Sequence, residues 1–129
     1  GCDGWDSPQL VEIGGPEALN NTYFSSAYSA QDKEPAVQKF IAGYKAMYNK
    51  EPDVFCMQGY NAGLILADAI KRAGGAADGT KLAAAIAATK DLPVASGKLT
   101  YDADHNPITS AIIIELKDGV QTFKEKITL

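Results

Sequence analysis

The chain is poor in the side chains that carry most catalytic and metal chemistry. Its 129 residues include one histidine, one tryptophan and two cysteines. Arg72 is the single arginine, and 12 Lys+Arg against 16 Asp+Glu leave a formal charge of -4. Without a concentrated basic face, nucleic acid is a poor partner. The longest apolar run, Leu82–Ala88, is mostly alanine and far short of the roughly 20 residues of a membrane helix. A hydrolytic triad would have only His105 as its base. That residue lies in a polar stretch between Asp104 and Asn106-Pro107 and reads as a solvated turn residue. Gly-x-Ser-x-Gly, the P-loop and Gly-x-Gly-x-x-Gly are all missing. Cys2 and Cys56 are far apart and lack a second histidine, which argues against zinc. Asp102-x-Asp104-x-Asn106 imitates the start of a calcium loop. Pro107 stands where that loop needs glycine, and no glutamate closes it, so a turn is the better reading. No cofactor and no metal is implied, and the inventory points away from an enzyme.

What is present is a globular mix, 46% hydrophobic and 22% charged. The length suits one domain, and a fold of this size buries roughly two-thirds of its unfolded surface. Gly1-Cys2-Asp3-Gly4-Trp5 opens the chain without Met or leader. It reads like the middle of a protein, so the expectation is a processed terminus or a fragment.

Helices and strands alternate along the chain. Ser7-Pro8 starts a two-turn helix that Gly14-Gly15-Pro16 stops. Thr22–Tyr28 is rich in β-formers and reads as a strand. From Pro35, the residues Val37, Phe40, Ile41, Tyr44, Met47 and Tyr48 form one helical apolar stripe. Val54–Met57 reads as a short buried strand, followed by a helix from about Tyr60 to Ala73. Thr80 is the expected cap of a third helix, Lys81–Thr89. Pro93 and Gly97 break the chain before a strand at Lys98–Tyr101 and a turn through Pro107. A hairpin at Asp118-Gly119 joins strands Ala111–Lys117 and Val120–Ile127. The fold class is α/β with an added antiparallel element.

Carboxylates and aromatics stand at loop junctions, the inventory of a small-molecule cleft. Asp3 and Trp5 flank a glycine before the first helix, and Phe55 precedes Gln58-Gly59-Tyr60. Each has a plainer reading: Trp5 and Phe55 as core, Asp3 as a solvated turn residue. Cys2 and Cys56 could form a disulfide in an oxidising compartment, or remain two buried thiols.

Four stretches in register carry a resemblance: Gly1-Cys2-Asp3-Gly4-Trp5-Asp6-Ser7-Pro8, Asn21-Thr22-Tyr23-Phe24, Gly59-Tyr60-Asn61-Ala62 and Gly97-Lys98-Leu99-Thr100-Tyr101-Asp102. Over the whole chain these resemble the periplasmic substrate-binding proteins of branched-chain amino acid ABC transporters. Asn61 stands where that family's pattern has aspartate. The resemblance implies a Rossmann-like, type I periplasmic-binding fold with a C-terminal β-hairpin, of which this chain is the C-terminal portion. It also implies two lobes joined by three hinge crossings. Residues 1–34 and 97–129 would then belong to the second lobe, and 35–96 to the first.

By the same resemblance, Asp3 takes the ligand ammonium and Phe55 is an aromatic wall. Trp5 is assigned to the cleft by proximity to Asp3 alone. The implied partners are an amino acid, the N-terminal part of the same protein or a second copy by strand exchange, and an ABC permease. The implied location is exported: periplasmic, or extracellular and lipoprotein-type. Two alternatives remain, a ligand-sensing domain of a regulator or receptor, and a stand-alone engineered α/β assembly module.

Overall fold

The computed structural model describes residues 1–128. A 3-10 turn at Asp3–Trp5 leads into α1 (Pro8–Gly14), the single turn α2 (Pro16–Leu19) and β1 (Thr22–Ser26). Three helices follow: α3 (Pro35–Tyr48), α4 (Val54–Ala73) and α5 (Gly79–Ala87). The short strands β2 (Leu92–Val94), β3 (Gly97–Tyr101) and β4 (Pro107–Ile108) come next, and β5 (Ala111–Lys117) and β6 (Val120–Ile127) close the chain.

The strands form two three-stranded sheets, ordered β1-β5-β6 and β2-β3-β4. Every ladder among the described residues is antiparallel. The first sheet joins the start of the chain to its end, with Thr22 opposite Leu116 and Ser26 opposite Ile112. Its inner face buries Phe24, Ile112, Ile114 and Leu116 beneath Trp5, Leu10, Val11 and Leu19. A second cluster gathers Tyr28, Val37, Phe40, Ile41, Val54, Met57 and Ala95. A third packs Ile65 of α4 against Val94 and Leu99 of the second sheet. The pairing therefore divides the chain into a body of residues 1–26 and 111–127 and a body of residues 35–108. Two short crossings, 27–34 and 109–110, connect them.

Local chemistry explains most boundaries. Ser7 Oγ accepts the Gln9 N–H at 3.3 Å to start α1, and Gly15 at φ 76° ends it. Pro16 both stops α1 and opens α2, because proline suits a first helical position. Asp118 and Gly119, at φ 51° and 79°, make the left-handed pair that a two-residue hairpin needs.

Several expectations are corrected. Val54–Met57 is not a strand but the first turn of α4, because the Asp53 carboxylate accepts the Cys56 N–H at 2.8 Å and caps the helix. Val54 and Met57 are both buried, three positions apart on one helix face. A four-residue apolar run does not distinguish the two periods. Helix α5 is capped by Asp78 rather than Thr80, and it runs from Gly79 to Ala87. Strand β1 stops at Ser26, where the Tyr28 N–H turns back onto Ser26 Oγ at 3.1 Å. Pro93 and Gly97 do not break the chain. Pro93 lies in β2, an edge strand that tolerates a missing donor, and Gly97 opens β3 at φ 124°. The α3 stripe is buried only at Val37, Phe40 and Ile41, while Met47 is 73% exposed. Among the described residues, no helix is long and apolar enough to cross a membrane.

Candidate functional site

Asp3 and Trp5 sit together on the 3-10 turn. The Trp5 N–H donates to the Cys2 carbonyl at 3.0 Å, and the turn is tethered to β1 through Gly1. The Gly1 amine donates to the Tyr23 carbonyl at 2.6 Å, and the Ser25 N–H donates to the Gly1 carbonyl at 3.3 Å. Trp5 is half-buried against the core of the first sheet, and its ring fills the space beside Gly1. Asp3 is exposed. Phe55 lies on a different element, the first turn of α4, and is 61% exposed rather than core.

The immediate neighbours of these residues do meet. Asp6, just past Trp5, and Asp53, two residues before Phe55, line one groove of about 240 Å³ with Tyr28, Gln31, Ile114 and Gln121. Ser26 Oγ donates to Asp6 Oδ2 at 2.7 Å. Burial raises the Asp6 pKa above its usual value, the Ser26 bond opposes this, and the Asp53 charge adds to it. Asp53 moves the other way, lowered first by hydrogen bonding from the Cys56 side chain and then from its backbone N–H. The Tyr28 hydroxyl is pushed up to about 12, by burial first and then by the charges of Glu51, Asp6 and Asp53. The groove is therefore acidic, and it separates the body that carries Asp3 from the body that carries Phe55. That arrangement suits noncovalent capture of a small molecule between two surfaces.

Other residues have structural roles. The cysteines are free: Cys2 is exposed, and Cys56 is half-buried with its thiol donating to Tyr44 Oη at 3.2 Å. Asp102 builds its turn by accepting the Asp104 and Asn106 N–H groups at 2.9 and 2.8 Å, with exposed His105 at φ 65° inside it. Those N–H groups, Asn106 foremost, lower the Asp102 pKa. Sequence reasoning noted Asn61 only as a departure from the family's aspartate and missed its structural role. Its buried side chain donates to Ser96 Oγ at 3.1 Å and accepts the Ala95 N–H at 2.8 Å, pinning α4 to the β2–β3 turn. An isolated polar residue on the inward face of α4 was the available signal. Asp6 and Tyr28 were also missed, because nothing in their spacing places them across a groove.

Two bodies joined by short crossings therefore flank this polar groove. The profile of the periplasmic binding protein family matches residues 3–121, and the chain belongs to that family. It is 34% identical over 101 residues to a Leu/Ile/Val-binding protein of Rhizobium johnstonii, covering 78% of this chain and 27% of that protein. The leucine-binding protein LivK of Thermotoga maritima superimposes with a TM-score of 0.84 at 37% identity, covering 98% of this chain and 36% of that one. LivJ of Streptococcus pneumoniae, a branched-chain amino acid transporter substrate-binding protein solved with isoleucine, gives 0.80 at 27% identity. That match covers 100% of this chain and 36% of LivJ. The type I periplasmic-binding fold expected from the sequence is thereby met. The chain spans between about a quarter and just over a third of the length of these relatives.

Proposed function

We propose that these residues form the C-terminal portion of an extracytoplasmic solute-binding protein that captures an amino acid, a branched-chain one, for uptake by an ABC transporter. The observation that carries this reading is the family match over residues 3–121, joined to 34–37% identity with leucine-type binding proteins. Capture is noncovalent and couples to closure of two lobes about the crossings. The exposed Asp3 carboxylate pairs with the ligand ammonium, and a closed, water-poor cleft strengthens that charge-assisted bond. Phe55 supplies an apolar wall from the opposite body. Trp5 holds the Asp3 turn against the first sheet, and its place beside the ligand rests on proximity to Asp3 alone. We assign residues 1–34 to the second lobe. The return crossing is drawn at residues 109–110 rather than at 97, because β3 pairs with β2 and Leu99 packs on Ile65. The remainder of the protein, carrying the other cleft wall, and a membrane permease are the partners this reading requires.

A second reading has one specific support. A Rhodopseudomonas palustris solute-binding protein in complex with benzoate is 30% identical, with a TM-score of 0.72 over 90% of this chain. An aromatic carboxylate has no ammonium for Asp3 and meets repulsion from it, so the amino acid is favoured. Thermal-shift titration of the complete binding protein separates the two, since a ligand that binds the native state raises its apparent stability. Leucine, isoleucine or valine should raise the melting temperature, and Asp3→Ala should abolish the rise. A rise with benzoate alone, or an undiminished response of Asp3→Ala to leucine, overturns the assignment.

A further inference from the structure

We propose that the cavity between β3, the 109–110 crossing and β6 is a second binding site, for a small zwitterion whose carboxylate meets Lys98 and Lys126 and whose ammonium meets Glu34 and Asp91. The cavity measures about 350 Å³, within the range of small-molecule sites. It shares no lining residue with the acidic groove that separates the two bodies. The inference therefore does not rest on the amino-acid reading of that groove.

Unspent hydrogen-bonding groups converge on this cavity. Lys126 of β6 lines it, and its side chain is only 17% exposed. An ammonium carries three N–H donors. One goes to Asp32 Oδ2 at 3.0 Å, the partner it has among the described residues, which leaves two for a ligand. Thr109 lines the same cavity, and its buried hydroxyl has no hydrogen-bond partner among the described residues. Such a group is an exception in a folded protein, and a bound polar molecule removes it. Thr100 Oγ1 accepts the Asp91 N–H at 2.9 Å, so its own hydrogen remains to be given.

Charge chooses the class of ligand. Lys98, Glu34 and Asp91 all line the cavity, and among the described residues none of them forms an ion pair. A plain anion meets the two carboxylates, and a plain cation meets Lys98 and the unspent side of Lys126. Like-charge contacts of either kind cost affinity. A molecule that carries both charges satisfies both sides. The site also spans the two bodies, since Lys98 and Thr100 belong to β3 and Lys126 to β6. A molecule bound there ties the bodies together across the 109–110 crossing.

The test follows the backbone amide signals of the isotope-labelled protein by NMR during titration with glycine and with 4-aminobutyrate, whose two charges lie close together and far apart respectively. Acetate and methylammonium carry one charge each and serve as comparisons. One of the zwitterions should shift the amides of Lys98, Thr100, Thr109 and Lys126 saturably, and bind at least about tenfold more tightly than either comparison. Lys98→Gln and Glu34→Gln, both at exposed positions, should each weaken that binding by about tenfold. No saturable shift at these amides with either zwitterion overturns the proposal. So does equally tight binding of acetate or methylammonium, or a zwitterion response undiminished in both variants. Shifts confined to Tyr28, Gln31 and Asp53 place the molecule in the acidic groove and overturn it as well.

Discussion

Single side chains decide how the elements of this chain lock together. Asn61 is the clearest case. Asn61→Leu removes a buried bond to Ser96 and orphans the buried Ala95 N–H. It should lower unfolding stability by about 2 kcal/mol, read as a shift in the urea midpoint. Asp6 makes a prediction with a definite sign. Its folded-state pKa lies above the ordinary value of 3.8, so the native state holds this proton more firmly than the unfolded chain. The group's contribution to stability is then fully present below pH 3.8 and is lost as pH rises through the higher folded pKa. Asp6→Asn should erase that loss. The stability of the variant relative to the parent should therefore climb with pH across this window, and parallel pH profiles would refute it. Nothing in the local sequence Gly4-Trp5-Asp6-Ser7 announces this, because the perturbing groups, Ser26 and Asp53, are distant in the chain.

At the scale of elements, caps and long polar bridges matter more than propensity. Asp53 accepts the Cys56 N–H and fixes where α4 begins. Asp53→Ala should cost about 1 kcal/mol and fray the first turn, the turn that presents Phe55, whereas Asp53→Asn should be nearly neutral. Circular dichroism during thermal unfolding reads both. Helix α4 is tied to α5 by the lone arginine. Arg72 donates to Asp68 Oδ2 at 2.7 Å, to the Ala85 carbonyl at 2.6 Å and to Thr89 Oγ1 at 3.0 Å. The elements themselves were largely legible. Ala111–Lys117 and Val120–Ile127 flank a strong hairpin signal at Asp118-Gly119, and Pro35 heads an unambiguous amphipathic helix. The start of α4 was not legible, because Val54–Met57 is apolar on every reading and only the Asp53 cap resolves it.

At the scale of the molecule, the two bodies are stitched together at the crossings. Lys126 of β6 pairs with the buried Asp32 at 3.0 Å, and Gln31 Oε1 accepts the Phe123 N–H at 2.9 Å, so the 27–34 crossing is held to the first sheet. On the other body an apolar face stays uncovered, with Met47, Tyr48, Phe55, Tyr60 and Leu66 all exposed. A patch of that kind on a small chain favours association. The 129-residue chain alone should show a concentration-dependent mass by light scattering. Met47→Glu, at a 73% exposed site, should reduce it without loss of stability. A constant monomer mass across a wide concentration range would count against this.

What the sequence by itself determined is mostly architecture by pattern. One histidine, one arginine and two distant cysteines only point away from catalysis, nucleic acid and zinc. Periodicity and turn residues led to the α/β class, and the resemblance carried by four stretches in register implied the binding-protein fold. Tertiary structure alone decided which side chains face one another. It turned Trp5 toward a sheet core, left Phe55 open on a helix start, and brought Asp6, Tyr28 and Asp53 around one groove. The physical reason is range. Helix and turn signals act over a few residues and are written locally, whereas burial and charge coupling depend on surfaces that only the folded crossings bring together.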